Sequence, residues 1–141
     1  MRIDDTFQMV KRAIDAGRPA HGYLIVGPTR GLAMDLAVRI LQTLFCKSAE
    51  KPCGGCDGCR HVAERLEADI HWIFPEKKSR IISADQIREK LINEVTQTSF
   101  SGGWKAGVLV GADRLNDASA NAFLKTLEEP PEKTLFLLLS D

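Results

Sequence analysis

The chain has 141 residues, 44% hydrophobic and 27% charged, the size and make-up of one globular domain with a single core. Its 19 basic residues balance 19 acidic ones, so no overall positive field draws nucleic acid; any DNA contact has to come from a local patch or from partner subunits. No run approaches the ~18 apolar residues of a membrane span, and Met1 to Ala20 lack the continuous apolar core of a secretion signal, which predicts a cytoplasmic protein without a membrane partner.

Phe7, Val10 and Ile14 recur at helical spacing, with Met9 and Ala13 widening the stripe, and Gly17 ends that first helix. Tyr23-Leu24-Ile25-Val26 reads as a buried strand. Gly27-Pro28-Thr29-Arg30-Gly31 turns the chain. Leu32, Leu36, Ile40 and Leu44 then step by four along a helix with a wide apolar face. Beyond a cysteine-rich loop, Val62 and Leu66 suggest a further helix, and Ile70 to Phe74 has strand character ending at Pro75. Ser83 and Gln86 form a capping-box pattern for a helix whose inward face is Ile87, Leu91 and Val95. Ser101-Gly102-Gly103 reads as a loop, and Gly107 to Val110 as another buried strand. Asn116 or Asp117 can cap a helix running to Glu129, which Pro130-Pro131 ends; Thr134 to Leu139 is a last apolar strand. Helices alternating with strands predict an α/β fold of three layers, a parallel sheet with helices on both faces. Nothing follows Asp141 to cover or continue the last strand, which predicts one domain, residues 1–141, of a longer protein.

A strand, a glycine turn and a helix is also the layout of a phosphate-binding loop, G-x-x-x-x-G-K-[ST], in which backbone N–H groups cradle phosphate, the Lys reaches its outer oxygens and the hydroxyl ligates magnesium. Gly27 holds the first glycine position, but the next three determinants fall on Leu32, Ala33 and Met34. The acidic pair expected at the end of a second strand falls on Val110 and Gly111. These losses predict that ATP does not bind and that no catalytic residue is present. Taken alone, Gly27 to Gly31 also reads as a plain strand-to-helix turn.

Cys46, Cys53, Cys56 and Cys59 form C-x6-C-x2-C-x2-C, all four cysteines of the chain within one short loop. Four soft ligands suit the closed tetrahedral site of a structural zinc ion, with Gly54, Gly55 and Gly58 letting the backbone curl round it. Unligated thiols and an iron–sulfur cluster are the alternatives. A zinc module at 46–59 would fold a loop that has too few apolar residues to fold itself. It is not strongly basic, because Glu50 and Asp57 offset Lys47, Lys51 and Arg60. A zinc-dependent nucleic-acid-binding module is therefore the weaker reading.

Three segments in order carry a family resemblance: His21 to Pro28, the cysteine cluster directly after the loop helix, and Asn121-Ala122-Phe123-Leu124-Lys125-Thr126-Leu127-Glu128-Glu129-Pro130-Pro131. The chain resembles the AAA+ subunits of the bacterial DNA polymerase III clamp loader, whose fold is P-loop NTPase-like. Gamma and tau subunits keep both ATP motifs intact, so the losses at Leu32, Ala33, Met34, Val110 and Gly111 favour the delta prime branch over an active gamma/tau-like ATPase. The resemblance implies a non-hydrolysing subunit of the polymerase III holoenzyme. It would work beside gamma/tau and delta to load the sliding clamp onto primed DNA, and its lid, collar and arginine finger would lie beyond Asp141. It implies a template contact for Lys125 and, more weakly, Arg88, and a sensor position for Ser140, each of which also reads as an ordinary solvated or turn-capping residue. Glu128 and Glu129 would cap or pair near a neighbouring subunit, and Trp72 and Trp104 would pack at the core or its rim.

Overall fold

The computed structural model describes residues 3–97, 99–100 and 102–141. Ser101, expected in a loop, lies outside the described residues. The first helix, α1 (Ile3–Asp15), buries Phe7 and Val10 and stops where the residues anticipate it. The Gly17 amide donates to the Ile14 carbonyl and the Arg18 amide to the Ala13 carbonyl, the paired bonds of a Schellman end. The remaining order is β1 (Gly22–Val26), α2 (Leu32–Phe45), α3 (Asp57–Ala63), β2 (Ile70–Ile73), α4 (Ala84–Gln86), a π-helical turn (Ile87–Ile92), α5 (Asn93–Val95), β3 (Lys105–Val110), a 3-10 turn (Ala112–Arg114), α6 (Asp117–Glu128) and β4 (Thr134–Ser140).

All four strands are parallel, in the order β1-β4-β3-β2, as the alternation of helices and strands predicts. Successive side chains of a strand face opposite ways. Ala106, Val108 and Val110 of β3, with Leu135, Leu137 and Leu139 of β4, pack with α1, α2 and Val62 of α3. Leu109 and Phe136 point to the other face, against Ile82, Ile87, Leu91, Val95 and Phe123. Phe123 meets Phe136 edge to face at 5.3 Å between centroids. Gly107 lets the π-helical turn come close: a Cβ there would stand 2.4 Å from Leu91 Cδ1.

Three expectations change. β1 is an edge strand rather than a buried one: Ile25 is buried, but Leu24 and Val26 remain 64% and 71% exposed because the helices of the second face do not reach them. Leu32, first residue of α2, also points outward, at 60% exposure, so the buried stripe starts at Ala33 and Leu36. Leu66 lies beyond the end of α3 and is exposed, so of the two apolar residues expected on that helix Val62 alone is buried.

The Ser83–Gln86 capping box forms as anticipated, and Gln86 Nε2 also donates to the Phe74 carbonyl. The helix of the second face is not a plain α-helix. A π turn widens its middle while Ile87, Leu91 and Val95 stay buried. Its end is held by Lys105, which is buried at the start of β3 and donates its ammonium to the Val95 and Gln97 carbonyls. Asn116 caps α6 by accepting from the Ser119 amide at 2.9 Å. Among the described residues no helix is long and apolar enough to cross a membrane.

Candidate functional site

Helix α2 runs from one candidate site to the other. At its C-terminal end the chain turns at Cys46 and loops back so that Cys46, Cys53, Cys56 and Cys59 bring their sulfurs within 4.8 Å of one another. His61 is not among the clustered groups. Zn–S bonds of about 2.3 Å in a tetrahedron separate the sulfurs by about 3.8 Å. Cys56 Sγ stands 3.8 Å from Cys46 Sγ. The loop also supplies the donors that thiolates need. The Lys47 amide donates to Cys56 Sγ, the Ser48 amide to Cys46 Sγ, and the Cys56 amide and Ser48 hydroxyl to Cys53 Sγ, at 3.2–3.4 Å. The donor set therefore fits a closed four-thiolate metal centre.

Electrostatics divide the four sulfurs. The Ser48 hydroxyl, followed by the Gly55 and Cys56 amides, lowers the Cys53 thiol to about 6. The Lys47 amide leads the groups that lower Cys56. Burial pushes Cys59 up to about 12, the penalty that a bound cation would offset. Two of the three glycines have distinct structural roles. Gly54 has φ +77, and a Cβ on Gly58 would sit 2.1 Å from the Phe45 carbonyl, so α3 can start only where Gly58 lets it touch the end of α2. The space around Gly55 is open and needs no glycine.

At the other end of α2 lies the mouth formed by the carboxyl ends of the strands, the usual ligand crevice of open parallel sheets. The loop Gly27 to Gly31 follows β1, and its Gly27, Thr29 and Gly31 amides are already engaged. Gly27 donates to the Ser140 carbonyl at 2.8 Å, and both Gly31 and Ala33 donate to the Pro28 carbonyl at 3.0 and 3.2 Å. Thr29 donates its amide to Asp141 Oδ1 at 3.0 Å and its hydroxyl to Oδ2 at 3.4 Å. Of the residues at the predicted motif positions, Ala33 is buried, Leu32 is exposed, and Met34 accepts from an Arg65 guanidinium N–H through Sδ at 3.5 Å. Val110 ends β3, and Gly111 begins the following turn with φ +99. The Ser140 hydroxyl donates to the neighbouring Asp141 carbonyl.

Arg65 was not among the residues singled out by the sequence. It follows α3 in a left-handed conformation, φ +57, a place more often filled by glycine and costing a non-glycine residue about 1 kcal/mol or more. Its amide donates to the Val62 carbonyl and that of Leu66 to the His61 carbonyl. This turn lays the guanidinium 4.9 Å from the Trp72 ring centroid and 5.9 Å from that of Phe74, so Trp72 packs at the rim under a cation. On another surface, Arg88 and Lys125 line one groove of about 420 Å³ with Asn121 and Thr126. Arg88 pairs there with Asp85 at 3.5 Å.

A parallel α/β sheet with a strand–loop–helix mouth and a four-cysteine centre packed on the loop helix defines the class. Within it, the family described as DNA polymerase III, delta subunit, matches residues 3–141, and the chain belongs to that family. It is 37% identical over 123 residues to the DNA polymerase III subunit delta' of Pseudomonas aeruginosa, covering 86% of this chain and 37% of that protein. It is 36% identical over 138 residues to the delta' subunit of Haemophilus influenzae, covering 96% and 41%. The DNA polymerase III subunit tau of Escherichia coli is 34% identical over 128 residues, covering 89% of this chain and 19% of tau. The chain thus spans about two fifths of the length of the delta' relatives it matches. In fold it is similar to a DNA polymerase III gamma subunit-related protein of Thermotoga maritima, with a TM-score of 0.59 at 21% identity over 95% of this chain and 38% of that one.

Proposed function

We propose that residues 1–141 form a non-catalytic AAA+ domain of the DNA polymerase III clamp loader, of delta prime type, that helps to load the sliding clamp onto primed DNA. The observation that carries this reading is the state of the sheet mouth. Leu32, Ala33 and Met34 offer neither ammonium nor hydroxyl, Val110 and Gly111 offer no carboxylate, and the Gly27, Thr29, Gly31 and Ala33 amides bond within the protein. The motif positions thus give a magnesium nucleotide neither a ligand for its metal nor a lysine for its outer phosphates. The domain then contributes shape: a sheet that offers its surfaces to gamma/tau and delta and performs no hydrolysis itself.

A structural zinc ion held by Cys46, Cys53, Cys56 and Cys59 would fasten α3 to the end of α2, with no open coordination position for chemistry. Lys125, with Arg88 beside it, would give the assembled complex a phosphate contact on primed DNA. The working compartment is the cytoplasm.

Isothermal titration of the zinc-loaded protein with ATP and magnesium tests the central point. No magnesium-dependent, saturable heat is expected at micromolar nucleotide. Micromolar affinity would replace this reading with an active, gamma/tau-like ATPase. Salt-sensitive DNA binding by the protein alone, abolished by chelation, would favour a zinc-dependent nucleic-acid module instead.

A further inference from the structure

We propose that the sheet mouth holds a magnesium-independent oxyanion site built by arginines, with Arg65 as its central ligand and a phosphate-type anion as its occupant. A cavity of about 560 Å³ opens between the loop after β1, the turn after α3 and the end of β3. Three guanidiniums line it, those of Arg30, Arg65 and Arg114, with the carboxylates of Asp113 and Asp141. Both carboxylates have other partners: Asp141 accepts from Thr29, and Asp113 faces Arg114 at 3.9 Å. Among the described residues no carboxylate pairs with Arg30 or Arg65. Among the described residues the acceptors at Arg65 are the Met34 thioether and the faces of Trp72 and Phe74, which orient the guanidinium without neutralising it.

The backbone makes the same point independently. Arg65 occupies a left-handed turn where a glycine would be unstrained, so the guanidinium is delivered to this cavity against a local conformational preference. Several guanidiniums around one cavity suit a tetrahedral anion with several oxygens better than a planar carboxylate. Because the Gly27, Thr29 and Gly31 amides are engaged elsewhere, the arginines carry the binding, and no metal is required. The site goes beyond the proposed function: a domain without MgATP affinity can still take phosphate.

The test is a titration of inorganic phosphate into the 15N-labelled, zinc-loaded full-length protein at constant ionic strength and without magnesium, following the arginine Nε–H signals. Saturable shifts at Arg65 and Arg30 are expected in the millimolar range. Arg65→Gly, which suits the left-handed turn and so keeps the fold, should weaken binding about tenfold or more. Arg88→Ala, on the other groove, should leave affinity unchanged. Shifts that stay linear with concentration, that acetate reproduces equally, or that survive Arg65→Gly would overturn the proposal. A requirement for magnesium would overturn it too. Micromolar binding of magnesium ATP would sink the proposed function, whereas absent phosphate binding would sink this inference alone.

Discussion

Helix α2 joins two loops that keep their shape by different means. At its N-terminal end, Gly27 to Gly31 is held between the sheet and the helix. Its amides bond to Pro28, Ser140 and Asp141, while Ala33 and Leu36 bury themselves beneath it. At the C-terminal end, the 46–59 loop presents four thiols, several amides aimed at sulfur, and almost no apolar side chain beyond Cys46 and Cys59. The first loop can lose its ligand chemistry and stay folded because a core supports it. The second has only its sulfurs and what they bind.

The largest effect that can break this comparison is removal of the proposed zinc ion. Chelation, or Cys59→Ser, is expected to release about one zinc per chain and to unfold 46–63, with a stability loss of several kcal/mol. Elemental analysis and thermal melting check it; a metal-free protein with an unchanged melt would show that the cysteine loop, too, is supported by its core. The next effect sharpens the other half. Combining Leu32→Gly, Ala33→Lys and Met34→Thr should strengthen magnesium ATP binding about a hundredfold over the parent, since the supporting fold is already in place. No gain by titration calorimetry would mean that the internal bonds of the loop, above all Thr29 to Asp141, block it.

Third is the core-supported side itself. Lys105→Met leaves the Val95 and Gln97 carbonyls without their buried donor and should cost about 2 kcal/mol, read in a urea melt. The smallest effect concerns pH. Burial holds His71 below its ordinary 6.5; Lys105 adds to this, and Glu94 and Asp69 oppose it. The folded protein therefore binds fewer protons than the unfolded chain. Stability is full above pH 6.5 and falls as pH drops below it. His71→Gln should flatten that slope in melts between pH 5 and 7.5.

Much of the fold was legible because periodicity reports burial. The stripes of α1 and α2 outside the exposed Met9 and Leu32, the runs of β3 and β4, the Ser83–Gln86 capping box and the Asn116 cap appear at their expected residues. The cysteine spacing likewise announced a cluster, because four sulfurs in so short a loop have few ways to stay apart. What stayed hidden depends on neighbours distant in sequence. Apolar character in Leu24, Val26, Leu32 and Leu66 says nothing of whether another element reaches them, and none does enough to bury them. Lys105 looks like a solvated strand-end lysine until the helix ending at Val95 sets its carbonyls above it. Arg65 could be read only from its φ angle and from the two rings beneath it; the residue type alone predicts a left-handed turn poorly.

The pairing of β1 with β4 has a consequence for the order in which the molecule can be made. Gly22 lies opposite Phe136, so within this segment β1 hydrogen-bonds to a strand made more than a hundred residues later. At ~5–20 residues per second, β1 waits on the order of ten seconds for its neighbour. During that interval its Leu24 and Val26 are open to any holdase nearby, and the nascent chain can close its sheet only when synthesis of this segment is nearly finished.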